Sequence, residues 1–125
     1  MSAVAAKYMG FAEEFRTPGQ PVIEPELFAD ALSLQLQELA KLAGVHRATV
    51  TEAPANARLQ TYLRDALRAL SASFEVTQDR DRAIFWFRNA PIPEFEHRTA
   101  EDLVSQGKVE AIVKYLASIS AGASG

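Results

Sequence analysis

Leu36-Gln37-Glu38-Leu39-Ala40-Lys41-Leu42-Ala43-Gly44-Val45-His46-Arg47-Ala48-Thr49-Val50 is the stretch on which the reading of the chain turns. Leu36, Leu39, Ala40 and Ala43 recur at helical spacing. Gly44 follows where a left-handed helix cap is favoured. Small Ala40 leaves room for a second helix to cross closely, and Val45 and Val50 stand as apolar pegs on that second helix. This is the anatomy of a helix-turn-helix; the ordinary alternative is a helical hairpin with a glycine turn. In the first case Gln37, His46, Arg47, Thr49 and Thr51 face outward, toward base edges or phosphates.

Upstream, Pro25 suits a first helical turn, with Leu27, Phe28, Ala31 and Leu32 expected on one face. Farther back, Val4, Tyr8, Phe11 and Phe15 lie three or four residues apart and read as a short amphipathic helix. Thr17-Pro18-Gly19-Gln20-Pro21 breaks it. Residues 1–21 are therefore taken as an N-terminal arm, with self-association as its favoured role. Downstream, Val45 to Thr51 is a short segment stopped by Pro54. A longer helix follows from about Asn56 to Glu75, with Leu59, Leu63, Ala66, Leu67, Leu70 and Phe74 along its seam. The expected all-α architecture is thus an arm (1–21), a helix-turn-helix bundle (22–76) and a small C-terminal helical domain with a short tail (77–125).

That last region opens with Thr77 as the expected N-cap and Asp79 and Asp81 in the first turn, where the helix dipole favours acids. Its first helix carries Ile84, Phe85, Trp86 and Phe87 and ends near Asn89, before Pro91. Ile92 to His97 is a loop held by two prolines. Thr99 with Asp102 resembles a capping box. Gly107 interrupts, and Val109, Ile112, Val113, Leu116 and Ile119 mark the last helix. Ser118 to Gly125 reads as a small-residue tail.

Composition limits the functional classes. The 125 residues are 48% hydrophobic, enough for a core, and contain no cysteine, hence no disulfide framework, thiolate metal site or cysteine nucleophile. No apolar run approaches the ~18 residues of a membrane span. The first ten residues lack the basic start and apolar stretch of a secretory signal, so a cytoplasmic protein is expected. Net charge is −3, without the basic stripe of a dedicated nucleic-acid binder. No nucleophile with a base, phosphate-cradling glycine loop or convergent acid pair is apparent, so no enzyme and no cofactor are expected. His46 and His97 lie far apart without suitably spaced carboxylates, which argues against a metal site.

The second half carries the more specific pattern. Ala83-Ile84-Phe85-Trp86-Phe87-Arg88-Asn89-Ala90-Pro91 is followed by Glu96-His97-Arg98-Thr99-Ala100-Glu101-Asp102-Leu103-Val104, then Gly107 and the Val109 to Leu116 helix. This block resembles the toxin-binding domain of Xre/MbcA/ParS antitoxins, and the His97-Arg98 pair with Ala100 to Val104 resembles the MbcA branch. The resemblance covers Asp79 to Gly122, extends more weakly over Glu24 to Phe74, and leaves out residues 1–21. It implies a helical, often dimeric antitoxin of a toxin-antitoxin system, partner to an NAD-consuming RES-domain toxin. It also implies a helix-turn-helix able to bind the operon's own promoter DNA. Carried over residue by residue, the implied toxin-facing positions are Trp86, Arg88, His97, Arg98, Asp102, Ser118, Ile119 and Gly122.

Each position has a plainer reading beside it. Trp86 can be core, His97 a local hydrogen-bonding residue, and Asp102 a cap partner. Arg58, Arg64 and Arg68 with Asp65 can form a solvated face. The candidate recognition segment has a single arginine, ends at Pro54 and carries Glu52, the wrong sign for phosphate. A stand-alone helix-turn-helix transcriptional regulator is the alternative from another functional class, and a structural adaptor without a toxin is a third. In a helix with Ile84, Phe85, Trp86 and Phe87 in succession, side chains point nearly all round, so at least one aromatic must leave the helix's own core.

Overall fold

A computed structural model describes residues 14–16 and 19–124. Most of the chain is helical, and the described residues form no strand. In chain order the helices are α1 (Pro25–Ala31), α2 (Leu36–Ala43), α3 (Arg47–Glu52), α4 (Ala57–Thr77), α5 (Arg80–Asn89), α6 (Ala100–Ser105) and α7 (Val109–Ser124), with a 3-10 turn at Pro93–Phe95. The chain forms two compact units that divide between Arg64 and Asp65, inside α4. The break read from the pattern of elements lies at residues 76 and 77. The expected helix over Val4, Tyr8 and Phe11 lies outside the described residues; Phe15 is described and buried.

In the first unit, Pro25 occupies the first turn of α1, where its missing N–H costs no hydrogen bond. α2 ends at Gly44, whose φ of 71° is the left-handed conformation that a residue without Cβ adopts freely. The Val45 N–H donates to Ala40 O at 3.0 Å and the Gly44 N–H to Lys41 O at 3.2 Å, closing the helix with a Schellman pair. α3 then packs on α2, and α1 packs on both. Phe15, Phe28, Leu39, Val50, Leu59 and Leu63 form the core, each at most 1% exposed. The rings of Phe15 and Phe28 meet edge to face at 5.8 Å, and those of Phe28 and Tyr62 at 6.5 Å. Two expectations are corrected. Leu27 turns outward, because Phe28, Ala29 and Leu32 complete the inner face of so short a helix; Val45 is only half-buried, leaving Val50 as the deep peg.

Gln60, a polar side chain on the inner face of α4, was not singled out by the sequence pattern. It is 5% exposed. Its Oε1 accepts the Ile23 N–H at 3.0 Å, and its Nε2 donates to Ile23 O and Pro54 O, both at 2.8 Å. One amide thus holds two non-helical stretches of backbone against the helix. Gln60→Ala leaves those buried groups without partners and is expected to destabilise the protein by about 2 kcal/mol. Urea unfolding would measure it, beside Gln37→Ala at an exposed site as the neutral reference.

In the second unit, α5, α6 and α7 pack in sequence. Ala83, Phe87, Ile92, Leu103, Ile112 and Leu116 are buried. The N-cap of α5 is Asp79, not Thr77: its carboxylate accepts the Arg82 N–H at 2.9 Å. Thr77 instead ends α4, because Gln78 adopts a left-handed φ of 56° that separates the two helices. Gly107, with φ 79°, closes α6 as Gly44 closes α2, with the Lys108 N–H on Leu103 O at 2.9 Å. The expected tail is helical: α7 runs through Ser124, since alanine and serine tolerate helix and no proline intervenes. Arg68 of α4 pairs with Glu110 of α7.

Candidate partner-docking faces

The expected nucleic-acid residues cluster around the α2–α3 turn. Gln37 is exposed in the first turn of α2, and His46 is the exposed N-cap of α3. Arg47, the first residue of α3, is exposed, as is Thr51; Thr49 is half-buried. The Thr51 hydroxyl donates to Ala48 O at 3.2 Å, a bond within its own helix. Beside them stands Arg58 of α4, read from the sequence as part of a solvated face, whose Nη1 donates to Gly44 O at 3.3 Å and whose stem lies over the glycine. A Cβ at residue 44 would lie 3.6 Å from that stem, ordinary contact, so the positive φ is what demands glycine here. Lys41 supplies another exposed cation, but exposed Glu38 and Glu52 lie on the same two helices. The local charge is mixed.

In the second unit, helix geometry separates the four consecutive apolar residues of α5. At about 100° per residue, Ala83 and Phe87 share one side and Phe85 lies about 200° from Ala83. Phe87 is fully buried, and Ile84 and Trp86 are half-buried on the flanks. Phe85 is 66% exposed. The resemblance pointed to Trp86; the side chain offered most openly to solvent is its neighbour. The helical period contains this answer once Phe87 is known to be the inward residue.

Arg88 faces Glu101 of α6, Nε to Oε2 at 2.9 Å, and Glu101 is 8% exposed. This pair ties α5 to α6, so Arg88 has a structural task. Arg98 joins the Glu96 carboxylate at 2.7 Å and the Gln106 side chain. Bonding to the Arg98 guanidinium holds the Glu96 carboxyl below the ordinary glutamate value. Because the folded value is depressed, this small surface contribution is present above the unfolded value and is lost as pH falls through the folded one. The Thr99 hydroxyl accepts the Asp102 N–H at 3.2 Å, so the expected cap forms and the Asp102 side chain is exposed. Ser118, Ile119 and Gly122 lie on the final turns of α7, all exposed, with Ile119 at 38%.

His97 stands at the tip of a tight turn. Glu96 and His97 both have left-handed φ values, 59° and 62°, and the Arg98 N–H returns to Phe95 O at 3.2 Å. Such a pair of conformations favours Asn-Gly rather than Glu-His. His97→Gly should therefore raise stability by about 0.5–1 kcal/mol, the relieved strain exceeding the added freedom of the unfolded chain. A higher thermal midpoint would verify it; an unchanged or lower one would show that the imidazole makes an offsetting contact.

Among the described residues no group of three or more His, Cys, Asp or Glu side chains converges to hold a metal ion, and no helix is long and apolar enough to cross a membrane. In comparisons with protein-family models, curated proteins and solved structures, nothing matches the chain.

Proposed function

We propose that the chain is an antitoxin of the Xre/MbcA/ParS kind, whose second unit binds an RES-domain toxin and keeps it from its NAD substrate. The observation that carries this reading is Phe85, a large aromatic held outward on a helix whose inner face is already filled by Ala83 and Phe87. Exposed aromatics flanked by arginine are the anchors that protein interfaces bury, and a buried phenylalanine contributes about 2 kcal/mol. Exposed Arg82 lies three residues before Phe85, while Arg88, three residues after it, is held by Glu101. The motif block from Ala83 to Val104 names the class of partner. The role is binding, not catalysis, and a homodimer is part of the proposal.

Co-expression with the adjacent RES-domain gene tests it. The natural chain is expected to restore growth and to co-purify with the toxin, and Phe85→Glu to lose both while keeping its helical circular dichroism. If the natural chain does neither, the reading fails.

The exposed His46 and Arg47 beside a glycine-closed turn favour a second activity, promoter binding by α2 and α3 as a helix-turn-helix. Gel shifts with upstream DNA at two salt concentrations would detect it, since phosphate contacts weaken steeply with salt. Arg47→Ala is expected to weaken DNA binding and leave toxin neutralisation intact.

A further inference from the structure

The first unit carries a surface along α1 that the toxin-binding reading does not use and that meets the promoter-binding residues only at Thr51. Between Pro21 and Leu36 the chain has three carboxylates, Glu24, Glu26 and Asp30, and no cation. On α1, Leu27 is 42% exposed while Phe28 and Ala29 fill the core. Two hollows adjoin it. One, of about 270 Å³, has Pro25, Val50, Thr51 and Pro54 in its lining with Glu24 and Glu26; the other, shallow and wide open, of about 510 Å³, has Leu34 and Leu36 with Glu26 and Asp30. Glu26 and Leu27 belong to both, so the hollows make one strip along α1 with an aliphatic ridge and acidic edges. Glu26 and Asp30 are exposed, and neither forms an ion pair among the described residues.

We infer that this strip docks a basic amphipathic helix of a partner protein, one that places aliphatic side chains in the two hollows and Lys or Arg against Glu26 and Asp30. Charge decides among occupants. A second copy related by a two-fold axis would bring the same carboxylates face to face, like against like. Nucleic acid carries the same sign as the strip. A cationic amphipathic helix satisfies both the apolar lining and the acidic rim, as helices that dock in grooves do through anchors on one face. This inference does not depend on the toxin-binding proposal, which concerns the other unit.

Fluorescence anisotropy of the full chain tests it with a labelled peptide of leucine and lysine at helical spacing, beside a peptide with glutamate at each lysine position. The lysine peptide is expected to bind and the glutamate peptide not. Leu27→Ala should weaken binding about tenfold by removing the ridge, as truncating an interface anchor does. Glu26→Gln with Asp30→Asn should weaken it by about the same factor and flatten its salt dependence. Glu75→Gln with Asp81→Asn, acids of the second unit that line neither hollow, should leave it within about twofold. Circular dichroism confirms that each variant is folded. Failure of the lysine peptide to bind overturns the inference, as does equal weakening by the second-unit pair, or unchanged binding by Leu27→Ala. Sedimentation in which Leu27→Ala converts a dimer to monomers also overturns it, since a second copy would then be the occupant.

Discussion

Replacing Phe87 with alanine is expected to lower the unfolding free energy by about 3–5 kcal/mol, whereas the same change at Phe85 should leave it within about 0.5 kcal/mol. The two rings are the same chemically and lie two positions apart on one helix. They differ in surroundings: Phe87 has no exposed surface and Phe85 has 66% of its own. Truncating Phe87 opens a cavity beneath α5 that its neighbours cannot fill without moving. Truncating Phe85 removes atoms already in water and substitutes the best helix former. Urea denaturation with both variants measures the contrast, and equal losses would refute the placement of α5. In the toxin assay the order reverses for folded protein: Phe85→Ala is expected to lose binding, because its ring is the candidate anchor.

Arg88→Ala should cost about 3 kcal/mol. The guanidinium neutralises Glu101, whose side chain is 10% exposed against 22% for the arginine. Removing the cation leaves a largely desolvated carboxylate on the inner side of α6, whereas removing both charges is far less harmful. The double variant Arg88→Leu with Glu101→Leu is therefore expected to recover most of the loss, as apolar replacements of buried pairs do. A double-mutant cycle gives the coupling. Were Arg88→Ala neutral for stability but damaging to toxin binding, Arg88 would be a contact residue, as the resemblance implied, and not a strut between helices.

Of the candidate sites, the sequence shows the residue types better than their duties. Arg88 and Arg98, which the resemblance implied as toxin-facing, are engaged with Glu101, Glu96 and Gln106, and the Asp102 side chain is exposed. Their partners lie up to 13 residues away in sequence, across a turn, so spacing alone does not pair them. Phe85 was one of four apolar residues in a row, and a helical repeat cannot rank them until one is fixed inward. The α2–α3 turn was the most legible local feature, because Gly44 acts through local backbone geometry.

What the sequence by itself determined about this protein is its helical character, the glycine closures at Gly44 and Gly107, the Thr99 cap and the seam of α4. These depend on interactions within a few residues, where backbone conformation and the 3.6-residue period act directly. Only the tertiary structure decided that Leu27 and Phe85 face water, that Asp79 and not Thr77 opens α5, and that Gln60 anchors distant backbone. It also divided the units inside a continuous helix. A periodic pattern states which side chains share a face. Which face is covered depends on segments far away in the chain, whose position no local spacing encodes.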